Sequence, residues 1–282
     1  CALLAAVVIV TFLFLLTFWI WKMLDEDAIY VKHMIEMTSD SLMMIGVNSS
    51  LKNLFTTKVH VRPGQRYAQL GRRPIHPVVF IPGIVSSGLE VWRGEDCVSK
   101  GSFRKRIWRS ETMFQTFNPM TYRCWLRHMK LNETSWSDPD GIKIRASQGL
   151  GSADVFITGY RLWIDIIQSF SDVGYDERSM HMASYDWRLN FQELERRDGY
   201  FTNLKYRIEA MKKTNDNEKI VIISHSMGST LFLHFMQWVS KRDPTWIDLH
   251  VSTWSNVAGS LLGAPKALSA ALSAEMRDTA EL

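Results

Sequence analysis

Hydrophobic and polar positions divide the chain into two regimes. Ala2 to Trp21 is one unbroken apolar stretch of twenty residues in which only Thr11 and Thr17 are not apolar. At about 1.5 Å per residue it is long enough to cross a hydrocarbon core about 30 Å thick, so it predicts a transmembrane helix. Trp19 and Trp21 stand at its end as interfacial anchors, and Lys22, Asp25, Glu26 and Asp27 close it. The run is too long for a signal peptide, and no small-x-small cleavage site follows. From residue 76 onward the pattern changes to short β-branched runs alternating with stretches of helical spacing, the signature of a doubly wound α/β domain. The apolar run within His76 to Ile84, which ends in Pro82-Gly83, predicts a buried parallel strand feeding a loop at its C-terminal edge. Tyr160 to Phe170 predicts a helix, followed by a turn at Asp172-Val173-Gly174 and a strand at Met180 to Tyr185. Phe201, Leu204, Ile208 and Met211 step by 3, 4 and 3, which predicts a helix ending at Lys212-Lys213. Ile220 to Ile223 is a further strand, Leu231 to Val239 a helix without a polar stripe, and Leu249 to Trp254 a last strand.

Residues 1–24 therefore read as a membrane anchor, 25–75 as a stalk and linker punctuated by Arg62-Pro63-Gly64 and Gly71-Arg72-Arg73-Pro74, and 76–282 as the globular part. Within it, the segment from Cys97 to Cys124 carries Lys100, Arg104, Lys105, Arg106 and Arg109 beside Phe103, Trp108, Phe114 and Phe117. This excursion from the alternating pattern suits a lid touching phospholipid headgroups and acyl chains, and equally a solvated basic loop.

Composition excludes more than it selects. A formal net charge of +4 with interspersed acidic residues leaves no nucleic-acid footprint. Three cysteines without a C-x-x-C or H-E-x-x-H spacing leave no metal site, and Gly149-Leu150-Gly151 lacks the third glycine of a dinucleotide loop, so no cofactor is expected. Eleven tryptophans lean towards surfaces where lipid and water meet.

The chemistry concentrates at Ser224-His225-Ser226-Met227-Gly228, a small-x-Ser-x-Gly turn between a strand and a helix. Such a turn lifts its central serine above the sheet and needs small residues on either side, so Ser226 is the candidate nucleophile. Ser224 stands where this pattern usually has glycine. The loop after Pro82-Gly83 is where an α/β-hydrolase builds half its oxyanion hole, with the backbone N–H groups of Ile84 and Met227 as the two donors.

Five blocks in order, His76-Pro77-Val78-Val79-Phe80-Ile81-Pro82-Gly83, Tyr185-Asp186-Trp187-Arg188-Leu189, Glu195-Arg196-Arg197-Asp198, Ser224 to Gly228 and Leu262-Gly263-Ala264-Pro265-Lys266, resemble the lecithin:cholesterol acyltransferase-like family, most of all its membrane-anchored plant-type members. The resemblance runs from about Pro77 to the C-terminus. It implies an α/β-hydrolase fold and transfer of an acyl group from the sn-2 position of a phospholipid to diacylglycerol, giving triacylglycerol through an acyl-enzyme on Ser226. It further implies a Cys97–Cys124 disulfide closing the lid, Trp108 within the lid, and a single-pass protein whose globular part faces the lumen of the endoplasmic reticulum; Asp186 and Arg188, in a block shared with the family, are expected to be structural rather than catalytic charges, since a paired buried charge is the commoner reason for such a cluster. Asn48-Ser49-Ser50 and Asn132-Glu133-Thr134 are acceptor sequons that fit such a compartment.

In this fold the triad runs Ser, Asp, His along the chain. After Ser226 come only His234 and His250, with Asp243, Asp248 and Asp278. His234 lies two turns along the helix, while Asp248 and His250 share a predicted strand and cannot come from separate loops. The acid, the base and the C-terminal part of the fold are accordingly expected beyond Leu282. With water as acceptor the same residues make a lipase or phospholipase. Without acid and base, the chain would be an inactive lipid-binding relative.

Overall fold

The two continuous apolar runs become the central strands of a parallel sheet. The computed structural model describes residues 61–95, 103–108, 119–153, 155–157, 160–161 and 163–273. In chain order the elements are α1 (Pro63–Gln69), β1 (Val78–Ile81), β2 (Leu89–Arg93), β3 (Arg106–Trp108), α2 (Pro119–Met129), β4 (Lys143–Ala146), β5 (Val155–Ile157), β6 (Tyr160–Arg161), α3 (Ile164–Val173), β7 (Met180–Met182), α4 (Phe191–Asp198), α5 (Tyr200–Thr214), β8 (Ile220–His225), α6 (Met227–Ser240), α7 (Trp246–His250), β9 (Val251–Val257) and α8 (Pro265–Ser273).

The main sheet has the order β7-β1-β8-β9. All its pairings are parallel, with Val78 opposite both Met180 and Val221, and Ile220 opposite Val251. Because side chains alternate across a strand, an apolar run covered on both faces needs no polar positions. Val79, Ile81, Ile220 and Ile222 face α5 and α6, where they meet Phe201, Leu204, Leu231 and Phe235. Val78, Phe80, Met180 and Met182 face the other way, onto Trp163, Ile167 and Phe170 of the α3 layer. Helices on both faces are the doubly wound arrangement that the alternating pattern predicts.

The α5 positions Phe201, Leu204, Ile208 and Met211 are all buried, as their spacing requires. Helix α6 lies against the centre of the sheet, and its missing polar stripe follows from that position. Leu231, Phe232, Phe235 and Val239 have no exposed surface, and each contributes about 1.5–3 kcal/mol by leaving water.

A separate antiparallel sheet of order β3-β2-β4 stands beside the parallel one. Its core is Leu89, Val91, Ile107, Ile142 and Ile144, packed by Cys124, Trp125 and Met129 of α2 and by Trp187. Part of the lid segment is thus a strand anchored in this sheet. Arg104 pairs with Glu90 at 3.1 Å and the Arg106 guanidinium donates to the Gly151 carbonyl at 2.6 Å, so both basic groups are engaged by the protein itself.

Three expectations need correction. The end of the expected linker is helical: Pro63 occupies a position in the first turn of α1 where its missing N–H costs nothing, and Arg62 grips Asp172 of α3 through bonds of 2.9 and 2.7 Å. The helix expected from Tyr160 begins only at Ile164, after the two residues of β6, with Arg161 reaching forward to Asp165. The last strand begins at Val251, and Asp248 and His250 belong to α7. There Asp243 Oδ1 accepts from the Thr245 N–H and hydroxyl, and Trp246 buries itself to 1% exposure. Burial of that one indole overrides the strand-like alternation of the residues after it.

The transmembrane expectation for Ala2 to Trp21, the stalk up to residue 60, Cys97, Asp278 and the Asn48 sequon lie outside the described residues. Among the described residues no helix is long and apolar enough to cross a membrane.

Candidate active site

Ser226 joins β8 to α6 with φ 54° and ψ −129°. A non-glycine residue held there stores roughly 1–3 kcal/mol, which the surrounding packing must overcome. Several contacts do so. The Ser226 N–H donates to the Val257 carbonyl and its own carbonyl accepts from the Ser229 N–H, both at 3.0 Å. Gly228 is required by closeness: a Cβ there would lie 2.5 Å from the Ile81 carbonyl oxygen and 2.4 Å from that of Pro82. Gly83 meets the turn from the other side, where a Cβ would come within 2.8 Å of Ser226 Cβ. The β1 loop and the serine turn are therefore in van der Waals contact.

The serine at position 224 has its own explanation. Its hydroxyl, fully buried, is 2.8 Å from the Ser229 hydroxyl and accepts from the Trp254 indole N–H at 2.7 Å. The position tolerates a hydroxyl because two partners satisfy it.

The Gly83 loop is closed upon itself. Its carbonyl accepts from Ser86 N–H at 3.2 Å and Ser87 N–H at 2.9 Å, and its N–H donates to Ser86 Oγ at 2.9 Å. Ser87 Oγ donates to the Tyr185 carbonyl at 2.6 Å and accepts from the Tyr185 N–H at 3.1 Å, which pins the loop to the segment after β7. Ser86 and Ser87 were not visible as site residues in the sequence, although the run of small residues after Pro82-Gly83 is the signal they leave. Trp108 then donates its indole N–H to the Ile84 carbonyl at 3.0 Å and packs on Trp187 with centroids 4.7 Å apart. Among the described residues, the N–H groups of Ile84 and Met227 donate to nothing and the Ser226 hydroxyl has no partner. A free hydroxyl beside two free donors is the arrangement an acyl-transfer site needs before substrate enters.

No described histidine completes a triad. The His234 ring lies 5.3 Å from both Phe191 and Phe201, and burial holds it below its ordinary pKa. His250 stacks on Trp246 at 4.5 Å and points Nδ1 at the Trp246 carbonyl. It precedes β9, whose first residue is opposite Ile220, whereas Ser226 follows the other end of β8. A strand of that length separates them by about 20 Å. Asp248 shares the wrong end, and Asp243 is occupied by Thr245. His225, next to the nucleophile, packs edge-on against Trp163 at 6.2 Å, and burial lowers its pKa also.

Asp186 and Arg188 pair with each other at 2.7 Å, as structural charges. Arg197 donates to the same carboxylate at 2.7 Å, and Arg188 also reaches Asp138 at 2.9 Å. Burial opposes the charge on Asp186, yet the two guanidiniums hold its carboxyl below the usual carboxylate range. Cys124 is disulfide-bonded. Among the described residues no cluster of His, Cys, Asp and Glu could hold a metal ion.

Comparison with known proteins adds the family. The model of the lecithin:cholesterol acyltransferase family matches residues 102–282. The chain is 45% identical over 217 residues to a phospholipid:diacylglycerol acyltransferase of Schizosaccharomyces pombe, covering 75% of this chain and 34% of that protein. It is 43% identical over 227 residues to phospholipid:diacylglycerol acyltransferase 1 of Arabidopsis thaliana, covering 77% and 33%. A phospholipid:diacylglycerol acyltransferase of Saccharomyces cerevisiae is 44% identical over 217 residues, covering 73% and 32%. The chain thus spans about a third of the length of these relatives.

Proposed function

Since the chain belongs to the lecithin:cholesterol acyltransferase family, we propose that it carries the nucleophile and oxyanion hole of an enzyme that moves an acyl group from the sn-2 position of a phospholipid to diacylglycerol. Ser226 Oγ attacks the ester carbonyl, and the N–H groups of Ile84 and Met227 receive the negative charge that develops on its oxygen. Collapse of the tetrahedral intermediate releases the lysophospholipid and leaves the acyl group on Ser226. The diacylglycerol hydroxyl then attacks this ester, giving triacylglycerol and the free serine. Acid and base come from outside the described residues. The observation that carries the reading is the strained Ser226 with a free hydroxyl beside the closed Gly83 loop.

We place the domain on the luminal side of the endoplasmic reticulum membrane, anchored by the Ala2 to Trp21 stretch, with Cys124 paired to Cys97 across the lid. The disulfide at Cys124 supports an oxidising compartment, since disulfides rarely persist in the cytosol. The test uses the full-length protein in membranes with phospholipid labelled in its sn-2 acyl chain, with and without added diacylglycerol. Label in triacylglycerol, lost in Ser226→Ala, is the expected result. Label appearing only as free fatty acid would make the protein a phospholipase and overturn the transferase reading.

A further inference from the structure

A cavity of about 610 Å³ lies beside β7, and Ser226, Ile84 and Met227 take no part in its lining. Four elements wall it: β4 contributes Arg145, β7 His181, α4 Asp198 and α5 Arg207. The volume suits a small organic molecule. The ion pairs around it form one chain, Arg145–Asp138–Arg188–Asp186–Arg197–Asp198, in which three arginines alternate with three aspartates and the charges cancel. Arg207 stands outside that chain. It makes no ion pair among the described residues, and its charge reaches His181.

Hydrogen bonding is lopsided in the same direction. Asp186 accepts from Arg188 at 2.9 and 2.7 Å and from Arg197 at 2.7 Å, and Asp198 accepts from Arg197 at 2.8 and 2.7 Å, so both carboxylates have their donors. Donors are left over. Among the described residues, four buried side-chain groups find no partner: Ser147 Oγ, the Tyr185 hydroxyl, the Trp187 indole N–H and Arg197 Nη1. Tyr185 itself lines the cavity, and the other three are chain neighbours of the lining residues Gln148, Asp186 and Asp198. Buried polar groups are rarely left unpaired, and such a concentration around one cavity points to a ligand. Since the surplus is of donors and of one positive charge, the ligand must bring acceptor oxygens and negative charge. The exposed amides of Gln148 and Asn203 already donate from nitrogen to main-chain carbonyls, at 3.2 and 3.1 Å, which leaves their oxygens for hydroxyl groups.

We propose that this cavity is a binding site for the phosphate ester of a small polyol, taken as a free ester or as the headgroup of a lipid. The phosphate meets Arg207 and Arg145, with the Tyr185 hydroxyl as a further donor, and the polyol hydroxyls meet the Gln148 and Asn203 oxygens. A guanidinium offers a phosphate two parallel N–H groups, and Arg207, on an exposed stretch of α5, has no other partner to give up.

The experiment places the full-length protein in phosphatidylcholine nanodiscs and titrates it with glycerol 3-phosphate by calorimetry, with inorganic phosphate as the control. Saturable binding is expected, and Ser226→Ala should leave it unchanged, because the cavity does not include the serine. Arg207→Gln should weaken it by about tenfold or more, as loss of a charge-assisted bond does, and Tyr185→Phe by about threefold. Arg207→Lys, which keeps the charge and loses the fork, should fall between wild type and Arg207→Gln. A second readout needs no variant: amide hydrogen exchange at residues 184–186 and in α5 should slow when the ester is added, or when the discs themselves contain phosphatidate. Slowing by the soluble ester assigns a free ester, and slowing only with phosphatidate assigns a lipid headgroup; both support the site. No slowing in either arm, or binding that Arg207→Gln leaves intact, overturns it. Inorganic phosphate bound as tightly as the ester would make the cavity an ion site only and overturn the polyol assignment.

Discussion

The indole N–H of Trp108 donates to the main-chain carbonyl of Ile84 at 3.0 Å, which joins the lid-side strand β3 to the loop that carries the proposed oxyanion donor. The bond does not touch the reacting atoms, so Trp108 is a positioning residue. Its effect travels through the peptide plane next to the Ile84 N–H. Loss of one such bond is worth about 0.5–1.5 kcal/mol. Trp108→Phe, which keeps an aromatic face for Trp187, should lower kcat by roughly 2–10-fold with little change in KM for phospholipid. Removing an oxyanion donor itself costs about 10²–10³-fold. A loss of that size in Trp108→Phe would mean the indole contacts the substrate.

The serine turn makes a prediction that separates chemistry from strain. Ser226→Ala and Ser226→Gly should both abolish transfer and labelling by a fluorophosphonate, because the neighbouring hydroxyls of Ser224 and Ser229 are buried and bonded to each other. They should differ in stability. Alanine keeps the strain of φ 54°, whereas glycine adopts that conformation freely. Ser226→Gly should therefore be more stable than Ser226→Ala by about 1 kcal/mol, read from denaturant midpoints. Equal midpoints would show that the turn is not strained in solution.

Gly228→Ala tests the packing beneath Ser226. The added methyl would meet two backbone oxygens, of Ile81 and Pro82, at 2.5 and 2.4 Å. Neither can swing aside as a side chain could. Overpacking of this kind costs about 1–3 kcal/mol or more, and the shift should move the turn away from the Gly83 loop. Slower fluorophosphonate labelling together with a lower melting temperature is expected. Unchanged labelling would show that the loop follows the turn.

What could be read in the sequence was what rests on local pattern. The strands β1 and β8 announced themselves because both faces of a parallel strand are buried, and α5 because its four core positions keep one face. The serine turn was legible because strand, turn and helix are contiguous. The antiparallel sheet was not, since β2, β3 and β4 are short and pair across long loops, and one ladder is broken between Val91 and Arg93. Ser86 and Ser87 were missed for a related reason: Ser87 acts through Tyr185, far away in sequence, and small polar residues carry no pattern of their own. The end of α7, from Asp248 to His250, reads as strand because burial of Trp246 is a tertiary fact.

Excluding the nearby histidines is also testable. His234→Leu keeps the ring-sized volume between Phe191 and Phe201, and His250→Gln keeps a polar group at the end of α7. If neither residue is the general base, each should leave full-length transfer within about threefold of wild type, against the factors of about 10⁴ to 10⁶ that follow loss of a triad base. A loss of the larger size in either variant would place that histidine at the chemistry.

His181 gives the fold a pH dependence of its own. It is the middle residue of β7 and lines a cavity of about 610 Å³ together with Arg145, Asp186, Asp198 and Arg207. Burial, helped by the positive charge of Arg207, pushes its pKa down from 6.5 to about 4. The unfolded chain therefore takes up a proton below pH 6.5 that the folded protein refuses until about pH 4. Stability is full above pH 6.5, falls through that window and levels off below it. At 1.36 kcal/mol per pKa unit, the loss amounts to about 3 kcal/mol. The Asp186 carboxylate, held low by Arg188 and Arg197, adds its own loss only at more acid pH. Denaturant midpoints at pH 7, 5.5 and 4 should fall steadily for the wild-type domain and much less for His181→Gln. Parallel curves for the two proteins would show that the sheet edge at β7 opens to water and lets His181 charge in place.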